Sequence, residues 1–479
     1  MARINTNTAS IVAGRQLTRA HSSLQVSLER LSSGLRINRG ADDPAGLIIS
    51  QHLRSEIEGV RQAVANSQRA SNMVATTEGA LNEVAALLND IQSKIVESAN
   101  IGAISEDEIR ANQLQIDSAI DSITRIANTT TFGGRKLLNG SLGYITSGIN
   151  AAQIADTRIN NVSFGTASYI PVNVSVIQSA QHGQLQFQTS AITASVTIEL
   201  AGTEGVTAIS LLSGTTASAI AAAVNLVKDS TGVSASLINA GVPASGIVLS
   251  SIEFGSAAFV QVTEIGSTTP VFSTVDGSGT ANRRDTGRDV SVTINGASAL
   301  GRGLDVFLNT TGLGIELRLQ DAFNTAGSTS FAITGGGAIF QLGAGVETNQ
   351  QVNFGMHSTA ATRLGNGSLG YLTEITSGGS SSLVNGQTAQ AAKIVAEAVR
   401  QVSVMRGRLG AFEKDTLDTN VNQLGITLEN LTAAESSIRD LDFAQETSAL
   451  TRSQVLVSAG TSILAIANQT PQSVLSLLR

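Results

Sequence analysis

Leu17, Leu24 and Leu31 recur every seventh residue, with Leu28 and Leu35 four residues after the last two. Such spacing puts one apolar ridge on a helix, the pattern of helix-on-helix packing. Ile4 and Ile11 carry it back toward the N-terminus. An assembly helix and an ordinary amphipathic core helix both fit this ridge. Gly40 is expected to end the helix, and Asp43-Pro44 to start the next one, since a capping Asp and a first-turn Pro both deal with unpaired N–H groups. From there Leu53, Val60, Val74, Leu81, Leu88 and Ile95 hold a seven-residue register interrupted by Ser67. No further proline occurs before Asn100, so a helix of roughly 80 Å is predicted at about 1.5 Å per residue. Ser105 and Glu108 form a capping-box pattern ahead of Ile109, Ile116, Ile120 and Ile123.

At the other end, Ile394, Ala398, Met405, Leu409 and Phe412 mark one helical face, continued by Leu417, Val421, Leu424, Leu428, Leu431 and Ile438. The final segment is different. From Thr447 to Leu478 the only charged residue is Arg452. Leu450, Val457 and Leu464 make one stripe, and Leu456, Ile463 and Ala467 an adjacent one. A helix without charge on any face is normally enclosed by protein. A terminal helix has little of its own chain to enclose it, which implies that copies of the same protein do so. A membrane-surface helix is the competing reading, and a polar face without lysine speaks against it.

Between the helical ends the pattern changes to Gly, Ser, Thr and Val. The segments 195–200, 246–251, 258–265, 289–296 and 314–319 read as strands, and 216–227 as a helix. NGSLGYIT at 139–146 returns as NGSLGYLT at 366–373, either as a matched pair where the chain leaves and re-enters a helical bundle or as reuse of a turn. The charge cluster at 282–289 reads as a solvated loop rather than as a site for an acidic ligand or an ion.

Composition narrows the function. Charged residues make up 14% of the chain, well below the usual quarter, and the net charge of −7 argues against a general nucleic-acid binder. Cysteine is absent, which excludes disulfides and thiolate metal sites. The four histidines lie too far apart for a local ligand motif. No run of eighteen apolar residues suggests a membrane span, and the polar start MARINTNTAS is not a cleavable secretory signal. Neither H-E-x-x-H nor G-x-S-x-G occurs, so no catalytic, cofactor-binding or metal residue is expected. An adhesin- or lectin-like role for the middle module stays open, and a glycan-binding screen of 176–335 would discriminate it.

Several segments, in order and at both ends, resemble the bacterial flagellins: LxxSLERLSSGLRIN at 24–38, ADDPAGL at 41–47, TTEGALNEV at 76–84, FGGRKLL at 132–138, LGAFEK at 409–414 and ANQTPQSVLSLLR at 467–479. The resemblance covers about 1–140 and 390–479. It implies an α+β multidomain fold, with a coiled-coil and helical-bundle core from the paired terminal segments and a β-rich α+β insert. The implied layers are 1–42 with 441–479 (terminal coiled coil), 43–175 with 336–440 (helical bundle with a β-hairpin at 337–356) and 176–335 (exposed variable domain). It also implies a homopolymer, passage through the flagellar export apparatus with a chaperone and no cleaved signal, and contact with filament cap and hook-junction proteins. No nucleic acid, membrane insertion or cofactor is implied. The residues expected to carry self-assembly are Ile4, Ile11, Leu17, Leu24, Leu28, Leu31, Leu450, Leu456, Val457, Ile463, Leu464, Leu475 and Leu478. Receptor-activating flagellins present a patch on the long helix. Where they carry Arg and Leu this chain has Asp90 and Lys94, which implies an altered innate-receptor patch.

Overall fold

The computed structural model describes residues 6–476 except 243–244, 267–269 and 311, and the side chains only as far as Gln469 at the C-terminal end. Two compact units are present. The first comprises residues 1–71, 341–350 and 412–479, and the second residues 72–340 and 351–411.

The first unit is helical. Helix α1 runs Thr8–Ser33, and Asn7 caps it by accepting the Ser10 N–H at 3.1 Å. The helix ends at Gly34, not at Gly40 as expected. Gly34 adopts φ +71, and its N–H returns to the Arg30 carbonyl. Leu35 therefore leaves the ridge and instead forms an isolated β-bridge with Asp440. Helix α2 (Pro44–Ser98) starts at the predicted proline, with the Asp43 carboxylate accepting the Gly46 N–H at 2.9 Å. It contributes residues to both units.

In the second unit, Val74, Leu81, Leu88 and Ile95 on α2 are buried. Helix α3 (Glu106–Thr129) opens with the predicted capping box at Ser105 and Glu108, and Ile116, Ile120 and Ile123 are buried against this layer. An eight-stranded sheet follows, in the order Tyr144–Ser147, Gly327–Gly336, Ile170–Gln178, Ser291–Ile294, Ala297–Arg302, Asp305–Asn309, Leu313–Leu319, Ile154–Val162. Its core is Val172, Val174, Val292, Val306, Ile315 and their neighbours, an aliphatic cluster built by strand alternation. The strand 170–178 crosses the boundary expected at 175, so this sheet draws strands from both sides of it.

A separate core forms between two four-stranded sheets and helix α4 (Ala217–Leu226), which leads into the short α5 (Lys228–Thr231). All five predicted strands and the predicted helix are present here or in the larger sheet. The 282–289 cluster is solvated, with Asn282, Arg283, Arg284 and Thr286 exposed, but it is not all loop. Residues 284–286 pair with 259–261, Asp285 accepts the Gln184 N–H at 2.7 Å, and Arg284 lies over the Phe259 ring. The charges at this edge are spent holding a strand, which alternation rules could not see in so polar a run. Strands Ala338–Gln341 and Gln351–Phe354 make the predicted hairpin. The chain then returns through helix α6 (Thr388–Ala411), a π-helical turn at Phe412–Asp418, and helices α7 (Thr419–Arg439) and α8 (Phe443–Ser476).

Candidate assembly surface

Helices α1 and α8, at opposite ends of the chain, pack together within the first unit. Leu17, Leu24 and Leu31 are part-buried, and so are Leu450, Val457 and Leu464. The α1 ridge and the first of the two α8 stripes thus face inward. Gly460 lets the backbones approach, since a Cβ there would stand 3.2 Å from Leu17 Cδ1. Polar bonds fix the register. Asn7 Nδ2 donates to the Ala467 carbonyl at 2.7 Å, and Ser10 Oγ lies 2.8 Å from Asn468 Oδ1. At the other end of the pair the Arg36 N–H donates to the Arg439 carbonyl at 2.7 Å and the Leu441 N–H to Gly34 at 3.1 Å. Arg30 and Glu446 form an ion pair at 3.6 Å, and both side chains are largely shielded.

The loop between α1 and α2 is held by charge. Asp42 accepts the N–H groups of Asn38 and Arg39 at 3.1 and 2.9 Å. The Arg39 N–H is the main influence that keeps the Asp42 carboxyl below its ordinary range. Arg39 itself forks onto Glu29 at 2.9 and 2.8 Å.

The remaining apolar positions point outward. Ile11 is 63% exposed, Leu28 50%, Leu456 53% and Ile463 57%. Val455 and Ile466 extend the exposed stripe of α8. Of the second predicted stripe, Ala467 alone is buried. Within α1 the fully buried residues are Ala13 and Ser27. Beside Gly460 a groove of about 480 Å³ opens between the helices, lined by Val12, Ala13 and Ile463. Ile4 and Leu478 lie outside the described residues, as does the side chain of Leu475.

By length and mean hydropathy (1.2) the segment Phe443–Gln469 would suffice to cross a membrane, which the sequence reading did not foresee. Arg452, Gln454, Asn468 and Gln469 make that burial expensive, because each amide or charge would be stranded in hydrocarbon. Ridges at seven-residue spacing on two sides of the helix instead suit packing against other helices.

Away from this pair, Asn420 Nδ2 donates both to Ser67 Oγ at 3.0 Å and to the Leu342 carbonyl at 2.9 Å. The break in the α2 register is thus a buried polar tie, which heptad counting recorded only as an interruption. On the face of α2 in the second unit, Asp90 and Lys94 border a groove of about 230 Å³ shared with Gln115 and Ala119 of α3. Lys94 pairs with Glu97 at 2.9 Å. Among the described residues no group of His, Cys, Asp and Glu is placed to hold a metal ion.

Comparison with known proteins matches three families: the bacterial flagellin N-terminal helical region at residues 4–142, the bacterial flagellin C-terminal helical region at 392–478, and the flagellin hook IN motif at 195–253. B-type flagellin of Pseudomonas aeruginosa is 32% identical over 499 residues, covering 99% of both chains. A flagellin of Salmonella typhimurium is 30% identical, again over 99% of each. Among solved structures, domains of the flagellar cap protein from Escherichia coli align with TM-score 0.30 at 22% identity, over 40% of this chain and 100% of that one. The flagellar junction protein of Legionella pneumophila aligns with TM-score 0.27 at 11% identity, over 83% and 100%. These scores are too low to establish a shared overall arrangement.

Proposed function

The chain belongs to the bacterial flagellin family and is a structural subunit of the extracellular flagellar filament; from that premise we propose that the α1–α8 pair is its assembly element. The observation that carries this is the unused apolar surface of the pair, with Ile11, Leu28, Leu456 and Ile463 half or more exposed. Burying one such side chain stabilises by about 1.5–3 kcal/mol. Within a single copy the pair buries too little to offset the ordering of two long helices, at about 1–2 kcal/mol per residue for the backbone. Sister molecules supply the missing contacts. Both terminal segments are therefore disordered in the monomer and become helical on assembly, a folding step coupled to polymerisation.

In this reading residues 1–42 and 441–479 form a coiled coil at the filament's inner core, with Leu17, Leu24, Leu31, Leu450, Val457 and Leu464 in its ridges. The helical parts of 43–175 and 336–440 form the surrounding layer, and the β-rich middle, whose larger sheet spans the boundary at 175, faces outward. The Ser, Thr, Gln and Asn positions of α8 line the channel and offer passing chains no fixed charge. Export proceeds without a cleaved signal, through the flagellar export apparatus with a chaperone, and the ends of the polymer meet cap and hook-junction proteins. The role is structural, without a catalytic site. Purified protein seeded with filament fragments in added salt is expected to elongate fibres visible by electron microscopy. Protein that stays monomeric under seeding would overturn the assignment of this surface.

A further inference from the structure

A cavity of about 800 Å³ lies within the second unit, away from the helix pair. Both copies of the NGSLGY repeat reach it. Asn139 Oδ1 accepts the Ser141 N–H at 3.0 Å, and Asn366 Oδ1 accepts the Ser368 N–H at 3.1 Å. Each copy thus folds into the same asparagine turn and delivers a tyrosine, Tyr144 or Tyr371, to the cavity wall.

The wall carries hydrogen-bond donors without an acceptor among the described residues. The Tyr144 hydroxyl accepts the Val162 N–H at 3.0 Å and passes its own proton to no described residue. Burial pushes Tyr144 up to about 12, so that proton stays in place. Thr157 Oγ1 is buried without a partner. Arg408 is part-exposed and shows no ion pair among the described residues; its guanidinium lies over the Phe354 ring, 5.4 Å from the centroid. The hydrogen-bond contact of His357 is Asn160 Oδ1, at 3.5 Å, the outer limit of a hydrogen bond.

Most neighbouring charges are already engaged, and Arg363 is exposed. Arg158 holds Asp156 at 3.1 Å, Arg400 holds Glu397 at 2.7 Å, and Glu316 accepts Asn160 Nδ2 at 3.0 Å. Glu316 acts on Arg408 from beyond ion-pair reach. Leaving a buried donor unmatched costs about 1–3 kcal/mol, and more for a charged one. One buried unmatched hydroxyl, on Thr157, with the Tyr144 proton and the part-exposed Arg408 guanidinium around the same space, suits an acceptor-rich, negatively charged occupant. The volume falls in the range of about 300–1,000 Å³ that holds organic ligands, far more than a single oxyanion needs.

We propose that this cavity binds a sugar acid, with its carboxylate on Arg408 and its hydroxyl or ring oxygens accepting from Tyr144 and Thr157. The site joins the outgoing segment at 139–160 to the returning one at 357–408, so its ligand braces two stretches far apart in sequence.

The test is calorimetric titration of the full-length monomer with glucuronate at neutral pH and fixed ionic strength, with glucose, acetate and inorganic phosphate as separate arms. Saturable binding of glucuronate is expected, with each of the other three at least about tenfold weaker, because glucose lacks the charge, acetate the hydroxyls, and phosphate the length to reach Arg408 and the two hydroxyls together. Arg408→Gln and Tyr144→Phe should each weaken glucuronate by about tenfold. Arg284→Gln, at a different edge, should not. The proposal is overturned by the absence of saturable heat with the native chain, or by phosphate or acetate binding as well as glucuronate. It is equally overturned if Arg408→Gln binds like the native protein. Should Arg408→Gln lose its helical circular dichroism, Tyr144→Phe decides, since it removes a single oxygen, and unchanged affinity there would refute the assignment. None of these outcomes bears on filament growth, which is scored separately.

Discussion

Asn7 donates from its side-chain amide to the backbone carbonyl of Ala467, at 2.7 Å and across 460 residues of chain. The same side chain accepts the Ser10 N–H and caps α1. One residue thus ends one helix and clasps another. Asn7→Ala removes both bonds. Loss of a cap costs about 1 kcal/mol, equivalent to roughly a fivefold change in an equilibrium constant. The critical concentration for polymerisation, read by sedimentation, should rise at least that much, while the unfolding midpoint of the β-rich middle stays put.

Leu456 and Ile463 occupy the same exposed side of α8. Substituting both by Ser leaves the contacts of Leu450, Val457 and Leu464 within the pair intact. At about 1.5–3 kcal/mol for each full burial, the double variant should raise the critical concentration by more than tenfold. Sedimentation of native and variant chains side by side measures this, and equal polymer yields would show that the stripe faces solvent in the filament.

Removing residues 450–479 deletes the second half of the pair. The truncated chain should remain soluble and monomeric, with the strands of the middle retained by circular dichroism, and should form no filaments by electron microscopy. Normal filaments from it would end the assembly reading.

His357 gives a pH dependence. Burial, then the positive charges of Arg408 and Arg158, lower it to about 4 from an ordinary 6.5. The unfolded chain therefore binds a proton that the folded chain refuses between those two values. The contribution to stability is complete above 6.5 and is lost as pH falls toward 4, at up to about 1.4 kcal/mol per pH unit. Urea unfolding of the monomer at several pH values should show His357→Asn losing less stability than the native chain over that window. Parallel curves would place the histidine in water.

Asp90 and Lys94 put opposite charges beside one groove where the resemblance implies an Arg and a Leu. An acidic group and a charged amine both weaken an apolar, arginine-anchored contact. Purified monomer should stimulate the vertebrate Toll-like receptor for flagellin weakly or not at all in reporter cells, and Asp90→Arg with Lys94→Leu should raise the response. A potent response from the native chain would contradict this.

Much of the architecture could be read from spacing. The α2 register, the proline start and the Ser105–Glu108 box are local rules, and all hold in the structure. Gly40 misled because any glycine can end a helix; the choice of Gly34 depends on Leu35 meeting Asp440 some 400 residues later. The strand at 284–286 was hidden for a similar reason, since its pairing partner, not its own residues, makes it a strand. Two ridges on α8 were visible in sequence, but which one faces α1 was not: that depends on the close approach of Gly460 to Leu17. The cavity was beyond reach altogether, because its donors come from 144, 157 and 408, and no local pattern links them.

The most direct test of the central claim is hydrogen exchange along α8, followed by mass spectrometry in monomer and filament. Backbone amides of 447–469 should exchange almost freely in the monomer and become strongly protected in the filament, because sister chains complete the packing that a single copy lacks. Equal, strong protection in both states would mean that one copy alone satisfies its terminal helices, and would contradict the account.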